Sequence, residues 1–347
     1  MTKNIFSELN ESFLIAEIGV NHNGDVSLAK ELIREAKKCG ADAVKFQTYK
    51  ASSLASPITP KVEYQLSTTS AEESHLEMLQ RLELSHDAHL ELAAYCVEIG
   101  IEFMSTPYDL ASAKFLGSMS VRFIKTASAD LVDLPLQRYI ASMGKPTIVA
   151  TGMATLGEIE RVVNIYEEEG NPHIILLHCV SNYPCSDESI NLRAMNTLAN
   201  AFGLPVGFSD HSKGHLAAVL SVGLNAKVIE KHFTLDKKMD GPDHAASSTP
   251  AEFSELVRNV RRAESILGEE RKRCQPEERQ MAIVSRKSLI LSRSLASGEI
   301  VTLDDLELRR PGTGIEAGFL SNLVGTRVRE SLPEGHQLKW SDLDDGE

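Results

Sequence analysis

The feature that most constrains the fold is a regular alternation of short apolar runs with helix-like segments. Eight runs have the length and content of strands: Phe13–Ile18, Ala43–Phe46, Glu102–Ser105, Arg122–Lys125, Thr147–Ala150, Ile174–His178, Val206–Phe208 and Val228–Lys231. Most are apolar almost throughout, as expected for parallel strands that are covered on both faces. This pattern predicts an α/β fold with a parallel sheet.

The segments between the strands have helical periodicity. One apolar stripe consists of Leu28, Ala29, Leu32, Ile33 and Ala36, and another of Leu90, Ala93, Ala94 and Val97. Gly40 and Gly100 follow these stripes as helix stops. Eight β–α units predict a (β/α)8 TIM barrel. A doubly wound sheet is the alternative, but no G-x-G-x-x-G follows the first strand.

One connection is unusually long. It runs from Thr48 to Ser85 and is richer in Ser, Thr and Pro than a minimal loop between a strand and a helix. Long loops within compact domains usually serve an active site or an interface.

The pattern changes near Leu267 and predicts a second domain. We expect a catalytic barrel over residues 1–268, a highly charged linker over 269–282 and a small, mostly β domain over 283–347. A weak internal repeat aligns residues 294–306 with residues 331–343, which indicates two related halves.

Charge and composition exclude several classes of function. The formal net charge of -13 argues against nucleic acid as a partner, because phosphate backbones need basic surfaces. The five cysteines include no C-x-x-C pair, so neither a disulfide framework nor a structural zinc site is expected. No apolar run approaches the length of a membrane span, and residues 1–10 lack the apolar core of a signal peptide. We expect a cytoplasmic protein without a membrane partner.

Polar residues follow most of the predicted strands. In a barrel, the carboxyl ends of the strands carry the catalytic groups. The candidates at these ends include Glu17, Lys45, Gln47, Thr106, Lys125, Ser128, His178, Ser181, Tyr183, Ser209, His211, Glu230, His232 and Asp243.

Three lysines lie within apolar strand runs, where lysine is rarely buried unless it is paired. Lys45 and Lys125 could bind an anion, form a Schiff base or make a structural ion pair. Lys231 alternates with Glu230 and His232, so its side chain should point away from their face.

Two histidines end neighbouring strands. His211 and His232 could ligate a divalent metal whose other ligands are water or substrate, or could be hydrogen-bonded core residues. His22, His178 and His244 compete as ligands. Cys179 is interpreted as a packing residue, because cysteines are often simply buried.

The segments that hold these residues resemble the sialic acid synthase family, which includes N-acetylneuraminate and legionaminic acid synthases. The matching segments are AEIGVNHNGD at 16–25, AVKFQTYKA at 43–51, FMSTPYD at 103–109, ATGMATLGEIE at 150–160, GFSDHSKG at 207–214, IEKHFTLDKKMDGPDHAAS at 229–247 and RRPGTGI at 309–315. The resemblance implies a TIM barrel, a C-terminal antifreeze-like (SAF) domain and a domain-swapped homodimer.

The resemblance also implies roles for individual residues. His211 and His232 match ligands of Mn²⁺ or Mg²⁺ and, with Glu230, are the expected catalytic residues. Positions that hold phosphoenolpyruvate are matched by Lys45, Thr106, Lys125, Ser128, Ser181 and Ser209. Positions around the sugar are matched by Gln47, Tyr183, Glu230 and Asp243, and Arg310 matches an arginine that the partner's tail contributes.

The chain departs from the family pattern at three positions. Asn23 replaces a glutamate proposed as an acid/base in some members, Ala150 replaces a phosphate-binding serine, and Ser181 replaces a common asparagine. The resemblance implies condensation of phosphoenolpyruvate with N-acetylmannosamine to give N-acetylneuraminate and phosphate. A 2,4-diacetamido-2,4,6-trideoxymannose substrate, giving legionaminic acid, is the alternative. A Schiff-base aldolase and a non-catalytic sugar-binding barrel are more distant ones.

Overall fold

All eight predicted strands are present in the computed structural model, which describes residues 3–70 and 72–344. They are β1 (Phe13–Gly19), β2 (Ala43–Thr48), β3 (Glu102–Pro107), β4 (Ile124–Thr126), β5 (Thr147–Ala150), β6 (Ile174–Cys179), β7 (Val206–Asp210) and β8 (Val228–His232). They form one parallel sheet in the order β3-β2-β1-β8-β7-β6-β5-β4, and β3 and β4 also lie against each other. The predicted (β/α)8 barrel is confirmed.

Helices connect these strands and follow the last one. They are α1 (Val26–Lys38), α2 (Ala51–Leu54), α3 (Glu63–Thr68), α4 (His75–Leu82), α5 (His86–Ile99), α6 (Leu110–Ser118), α7 (Leu134–Ser142), α8 (Leu156–Glu168), α9 (Asp187–Ile190), α10 (Ala194–Phe202), α11 (Leu216–Val222) and α12 (Pro250–Leu267). The helix α1 begins where Asp25 accepts hydrogen bonds from the backbone N–H groups of Ser27 and Leu28. Its predicted stripe is buried at Ala29, Leu32, Ile33 and Ala36.

The predicted apolar face of α5 is wrong, although the helix itself is present. Leu90 and Val97 are 50% and 80% exposed, whereas Leu92, Cys96 and His89 are buried. The imidazole of His89 is hydrogen-bonded to the Thr48 hydroxyl and the Ser85 carbonyl, which satisfies its polar atoms inside the protein. Because the buried residue His89 is polar, the hydrophobic pattern did not predict which face of α5 points inward.

The barrel interior is divided into an apolar layer and a polar layer. Alternate residues of a strand point inward, and those near the amino ends of the strands are apolar: Ile15, Ala43, Met104, Phe123, Ile148, Ile175 and Val228. Phe6, from a short 3-10 helix over Ile5–Glu8, packs into the same cluster. The inward residues two or more positions later include Glu17, Lys45 and Glu230. The polar groups are thereby confined to the carboxyl end of the barrel.

The long connection after β2 folds into a structure of its own. We call its described residues, 51–70 and 72–82, the capping segment; it contains α2, α3 and α4. Its buried residues Ala55, Met78 and Leu82 pack in one cluster with Val20 and Tyr49 of the barrel. The segment is therefore anchored to the loops that follow β1 and β2.

The chain divides into two compact units, Met1–Gly268 and Glu269–Glu347. The second unit contains α13 (Arg279–Ser285), β9 (Ser288–Leu291), β10 (Leu306–Arg309) and α14 (Leu320–Leu323), and β9 pairs with β10 antiparallel. The helix α13 begins within the residues predicted as a linker.

The weak repeat in the tail corresponds to repeated backbone geometry. The amide of Ser292 donates to the carbonyl of Asp305, and the amide of Arg329 donates to that of Asp342. Likewise, Gly298 donates to Val328, and Gly335 donates to Leu291. In both pairs of hydrogen bonds, the alignment of the two halves matches one donor with the other donor and one acceptor with the other acceptor. The two halves therefore share one fold and face each other.

We expect Gly207→Ala to destabilise the barrel. Gly207 lies on β7 between β6 and β8, and an added Cβ would collide with the Val228 carbonyl oxygen and the Leu177 side chain. Overpacking of this kind costs about 1–3 kcal/mol, which chemical denaturation can measure. The control is Gly157→Ala on α8, where an added Cβ has no neighbour within 4 Å. Equal stability of the two variants would contradict the packing described here.

Candidate active site

One cavity of about 490 Å³ opens at the carboxyl ends of the barrel strands. The structure brings twelve of the predicted site residues together around it: Lys45, Gln47, Thr106, Lys125, Ser128, Ser181, Tyr183, Ser209, His211, Glu230, His232 and Asp243. They come from most of the strands and the loops that follow them, so tertiary folding alone assembles the set.

Four charged side chains form a buried cluster at the base of the cavity. The ammonium of Lys45 lies 2.6 Å from a Glu17 oxygen and 3.7 Å from a Glu230 oxygen. Lys125 lies 3.7 Å from the other oxygen of Glu230. All four side chains are at most 5% exposed. Each charge needs the opposite charges beside it, because isolated charges are costly to bury.

The two carboxyl groups of this cluster differ in proton affinity. Burial raises the pKa of Glu17 to about 7, although Lys45 opposes the shift. Burial also acts on Glu230, but the charges of Lys125 and Lys45 outweigh it and lower its pKa to about 2. Glu230 is therefore ionised near neutral pH, while Glu17 can gain or lose a proton. A pair of carboxyls with separated pKa values is typical of acid–base chemistry.

The two lysines also differ. Burial opposes the charge of Lys45, but Glu17 and Glu230 outweigh it and raise the pKa. Burial lowers the pKa of Lys125, with only Glu230 close enough to oppose the shift strongly. Lys45 also donates to the Thr106 hydroxyl at 3.3 Å, and Lys125 donates to the Thr126 carbonyl at 3.0 Å. Lys45 is thus held from several sides, whereas Lys125 keeps hydrogens for a ligand.

A small polar cradle lies beside Lys125. The backbone N–H of Gly152 donates to the Ser128 hydroxyl at 3.0 Å. A Cβ added at Gly152 would collide with the Ser181 hydroxyl and lie 2.8 Å from that of Ser128. Only glycine leaves this space open, and the hydroxyls of Ser128 and Ser181 beside it can donate to a small anion.

The two predicted metal ligands lie close together. The rings of His211 and His232 have their centroids 5.6 Å apart. Burial lowers the pKa of His211 to about 4 and that of His232 well below the usual value, so both imidazoles are neutral. A neutral imidazole has one nitrogen lone pair that can bind a metal.

The lone pair of His211 has no committed donor. Its Nδ1 is 2.7 Å from the Val180 carbonyl, which can only accept, so the proton lies on Nδ1. The Ser209 hydroxyl is 3.2 Å from Nε2, but it donates its single hydrogen to Glu230 at 2.9 Å. A hydrogen bond from the far nitrogen to a carbonyl is the usual support of a metal-bound histidine.

His232 also fits a metal. Its buried Nδ1 has no hydrogen-bond partner and lies 3.6 Å from a carboxylate oxygen of Asp243. Within residues 3–70 and 72–344, no three His, Cys, Asp or Glu side chains are grouped so as to hold a metal ion. The two histidines would therefore need water or substrate as further ligands. Imidazole nitrogens suit Mn²⁺ better than Mg²⁺, which prefers oxygen.

The sugar-side candidates surround this pair. The ring of Tyr183 lies 4.2 Å from that of His211, measured between centroids. The amide of Gln47 donates to a carboxyl oxygen of Glu17 at 3.2 Å. Burial raises the pKa of Asp243 to about 6.

Arg310 belongs to the second unit. It is exposed, and its Nε donates to the Ser285 carbonyl at 3.1 Å.

Several residues that competed for a role have other partners. Lys231 points outward, as predicted, and pairs with Asp210 at 2.9 Å. The Nε2 of His178 donates to the Ile190 carbonyl, and its ring stacks on Phe208. The amide of Asn23 donates to the Asp240 carbonyl, which links the loops after β1 and β8.

Sequence reasoning gave no role to three residues that the structure places in the site. Glu17 was a candidate only as a polar residue at the end of a strand and received no role, yet its inward position in an apolar strand was a signal. Gly152 had no such signal, since its role depends on a contact across the barrel. Tyr108 is the third of these residues. It lines the cavity, and burial raises its pKa well above the usual value.

None of the helices in the described part of the chain is long and apolar enough to cross a membrane.

The chain is similar over most of its length to several known proteins. The chain is 45% identical to the N,N'-diacetyllegionaminic acid synthase of Legionella pneumophila, over 96% of this chain and 94% of that protein. It is 36% identical to the human (Homo sapiens) N-acetylneuraminate-9-phosphate synthase, over 93% and 90%. A crystal structure of N-acetylneuraminic acid synthetase from Leptospira borgpetersenii superposes with a TM-score of 0.70 at 34% identity, covering 78% of this chain and 90% of that one.

Family comparison divides the chain in the same way as the fold. Residues 286–344 match the SAF domain. Residues 32–272, which supply nearly all of the barrel, match the NeuB family. The chain therefore belongs to the NeuB family and carries a C-terminal SAF domain.

Proposed function

We propose that the chain condenses phosphoenolpyruvate with the open-chain aldehyde of an N-acetylated amino sugar, giving a sialic acid and phosphate. The observation that carries this proposal is the meeting of two buried lysines, two buried carboxyls and two neutral histidines at one cavity. The names of the relatives support it. The cytoplasm is the proposed location, because phosphoenolpyruvate is a cytoplasmic metabolite.

Phosphoenolpyruvate would occupy the side of the cavity that holds Lys125, Ser128 and Ser181. Lys45 is engaged by Glu17 at 2.6 Å, so Lys125 is the cation with hydrogens to offer an anion. Thr106 and the serines of the cradle beside Gly152 add hydroxyl donors, whereas Ser209 donates its hydrogen to Glu230. Charge-assisted hydrogen bonds of this kind are stronger than neutral ones and fix the orientation of a small anion.

The sugar aldehyde would lie next to His211 and His232. A divalent metal held by these residues would supply Lewis-acid polarisation of a carbonyl oxygen. The methylene carbon of phosphoenolpyruvate forms a bond to the aldehyde carbon, and the aldehyde oxygen gains a proton. Water then adds to the cationic carbon, and phosphate leaves with cleavage of its C–O bond.

Two carboxyl groups can move the protons that these steps require. Glu230 is held ionised between Lys45 and Lys125, and we assign it to accept the proton of the attacking water. Glu17 lies on the other side of Lys45 and is the second group that can carry a proton. The side-chain amide of Asn23 donates a hydrogen bond to the loop after β8, and Asn23 takes no part in this scheme.

The identity of the sugar is a finer question. N-acetylmannosamine would give N-acetylneuraminate, and 2,4-diacetamido-2,4,6-trideoxymannose would give N,N'-diacetyllegionaminic acid. The higher identity to the Legionella enzyme than to the human one slightly favours the second sugar.

The direct test is release of phosphate from phosphoenolpyruvate in the presence of each sugar. We expect turnover that stops in excess chelator and returns with Mn²⁺. His232→Ala should lower kcat by at least about 100-fold, because Lewis-acid stabilisation is worth several kcal/mol. Full turnover after confirmed metal removal would contradict the assigned role of the histidines.

The same preparation separates the proposal from a Schiff-base aldolase. Lys125 has the lowered pKa that a Schiff-base lysine needs. An aldolase would therefore form its covalent bond at Lys125. Borohydride with pyruvate would label an aldolase covalently at that lysine. We expect no labelling, and mass spectrometry of the intact chain measures it.

Gly152→Ala tests the phosphoenolpyruvate cradle. The new methyl group would fill the space between Ser128 and Ser181 and displace an anion from their hydroxyls. We expect KM for phosphoenolpyruvate to rise roughly 10- to 150-fold, since a charged hydrogen bond contributes about 1.5–3 kcal/mol. KM for the sugar should change little, and Gly157→Ala is the matched control. An unchanged KM for phosphoenolpyruvate would show that the anion lies elsewhere.

We propose, in addition, that a domain-swapped homodimer brings Arg310 to the sugar in the partner's barrel. A guanidinium can donate hydrogen bonds to an amide oxygen such as that of an N-acetyl group. Arg310 is exposed on its own unit and therefore free to serve another surface.

Co-expression of two inactive variants tests this arrangement. Arg310→Ala and His232→Ala should each be inactive alone, and mixed dimers should regain activity because one of their two sites carries neither change. Random mixing predicts about a quarter of wild-type activity for a swapped dimer. If Arg310→Ala is inactive and co-expression never rescues it, the tail serves its own barrel.

A further inference from the structure

The two histidines of the cavity lie just beyond the point where β7 and β8 stop pairing with each other. The register of these strands ends with Asp210 opposite Lys231, and β7 itself ends at Asp210. His232 is still part of the sheet, because it is paired with Glu17 of β1. His211 has left the ladder, so its distance from His232 depends on contacts other than the β7–β8 backbone pairing.

A buried ion pair lies directly behind the two histidines. The ammonium of Lys231 is 2.9 Å from a carboxylate oxygen of Asp210, and the two side chains are 3% and 0% exposed. Side chains alternate along a strand, so these two residues point out of the barrel and the histidines that follow them point in. The ion pair therefore joins β7 to β8 at the position immediately before each imidazole.

The same two side chains hold the backbone on the other side of His211. The second carboxylate oxygen of Asp210 accepts hydrogen bonds from the backbone N–H of Ser212 at 2.8 Å and from its hydroxyl at 2.6 Å. The ammonium of Lys231 donates to the Ser212 carbonyl at 2.6 Å. The residues before and after His211 are thus both tied to β8 through one ammonium group.

Other contacts orient the His211 ring. Its Nδ1 donates to the Val180 carbonyl at 2.7 Å, and its backbone carbonyl accepts the N–H of Cys185 at 3.0 Å. Both partners belong to the segment after β6. These contacts place the ring relative to that segment, whereas the ion pair ties the same turn to β8, which carries His232.

A buried ion pair is not needed here for stability alone. The desolvation of two charges offsets most of their attraction, and well-packed apolar side chains of similar volume often stabilise a fold at least as well. The best-attested use of such a pair is to specify one arrangement of the chain among several. In this protein the arrangement in question is that of a turn that carries an imidazole.

We propose that Lys231 and Asp210 are positioning residues that set the separation of His211 and His232 for a divalent metal. This inference rests on the part of the proposed function that assigns the metal to the two histidines. Any rearrangement needed on binding is subtracted from the binding free energy. Because the assigned protein ligands are only two imidazoles, their separation before binding has a large effect on metal affinity.

The test is binding of Mn²⁺ to the metal-free full chain without either substrate, measured by the EPR signal of unbound Mn²⁺. The double variant Asp210→Asn/Lys231→Met removes both charges, so neither is left buried alone. We expect its Kd for Mn²⁺ to rise about 10-fold or more, as is typical when groups that orient metal ligands are changed. Its affinity for phosphoenolpyruvate, measured by calorimetry without metal, should be unchanged because Lys45 and Lys125 stay in place.

A second variant and a control separate position from stability. Ser212→Ala removes one hydrogen bond to Asp210 and no charge, and we expect it to raise the Kd for Mn²⁺ roughly 2- to 10-fold. The control is Ile140→Val in the buried core at α7, which should lower stability in chemical denaturation and leave the Kd unchanged. If the double variant does not fold, the comparison of Ser212→Ala with this control decides.

The outcomes distinguish this inference from the proposed function. If wild type binds Mn²⁺ and the variants bind it equally tightly, the ion pair has no positioning role and the proposed function stands. If Ile140→Val weakens Mn²⁺ binding as much as the variants do at equal loss of stability, the effect belongs to the fold as a whole and the inference is wrong. If wild type does not bind Mn²⁺, the assignment of the histidines fails and this inference fails with it.

Discussion

The site depends on a balance of buried charge. Two ammonium groups and two carboxyl groups share the base of the cavity, each at most 5% exposed. None of these charges could remain there alone, because the desolvation of an isolated ion exceeds what the fold can supply. The balance also sets the chemistry: Glu230 is ionised because two lysines face it, and Glu17 can hold a proton because only Lys45 does at close range.

The barrel makes that balance possible by separating its interior into two layers. The apolar layer, which Phe6 closes, packs without side-chain polar groups that would need hydrogen-bond partners. Strand alternation then places the next inward residues of neighbouring strands at one height, so that Glu17 and Lys45 are register partners on β1 and β2. Stability and reactivity are thus assigned to different ends of the same strands, as in other barrels of this type.

The cavity also contains two neutral histidines. Burial keeps His211 and His232 unprotonated, so their lone pairs are available beside a cluster of charged groups. The capping segment then adds an apolar surface that the barrel strands do not provide. The carboxyl groups and the histidines thus come from the barrel strands and the residues that follow them, and the apolar contacts come from the capping segment.

The sequence by itself determined the eight strands, the barrel and many of the polar residues that line the cavity, because parallel buried strands are apolar runs and polar groups follow them. It also predicted that Lys231 points outward, since side chains alternate along a strand. Only the tertiary structure decided the inner face of α5, where His89 is buried by partners distant in sequence. The same holds for the cradle at Gly152, which exists only as contacts between segments that the chain separates.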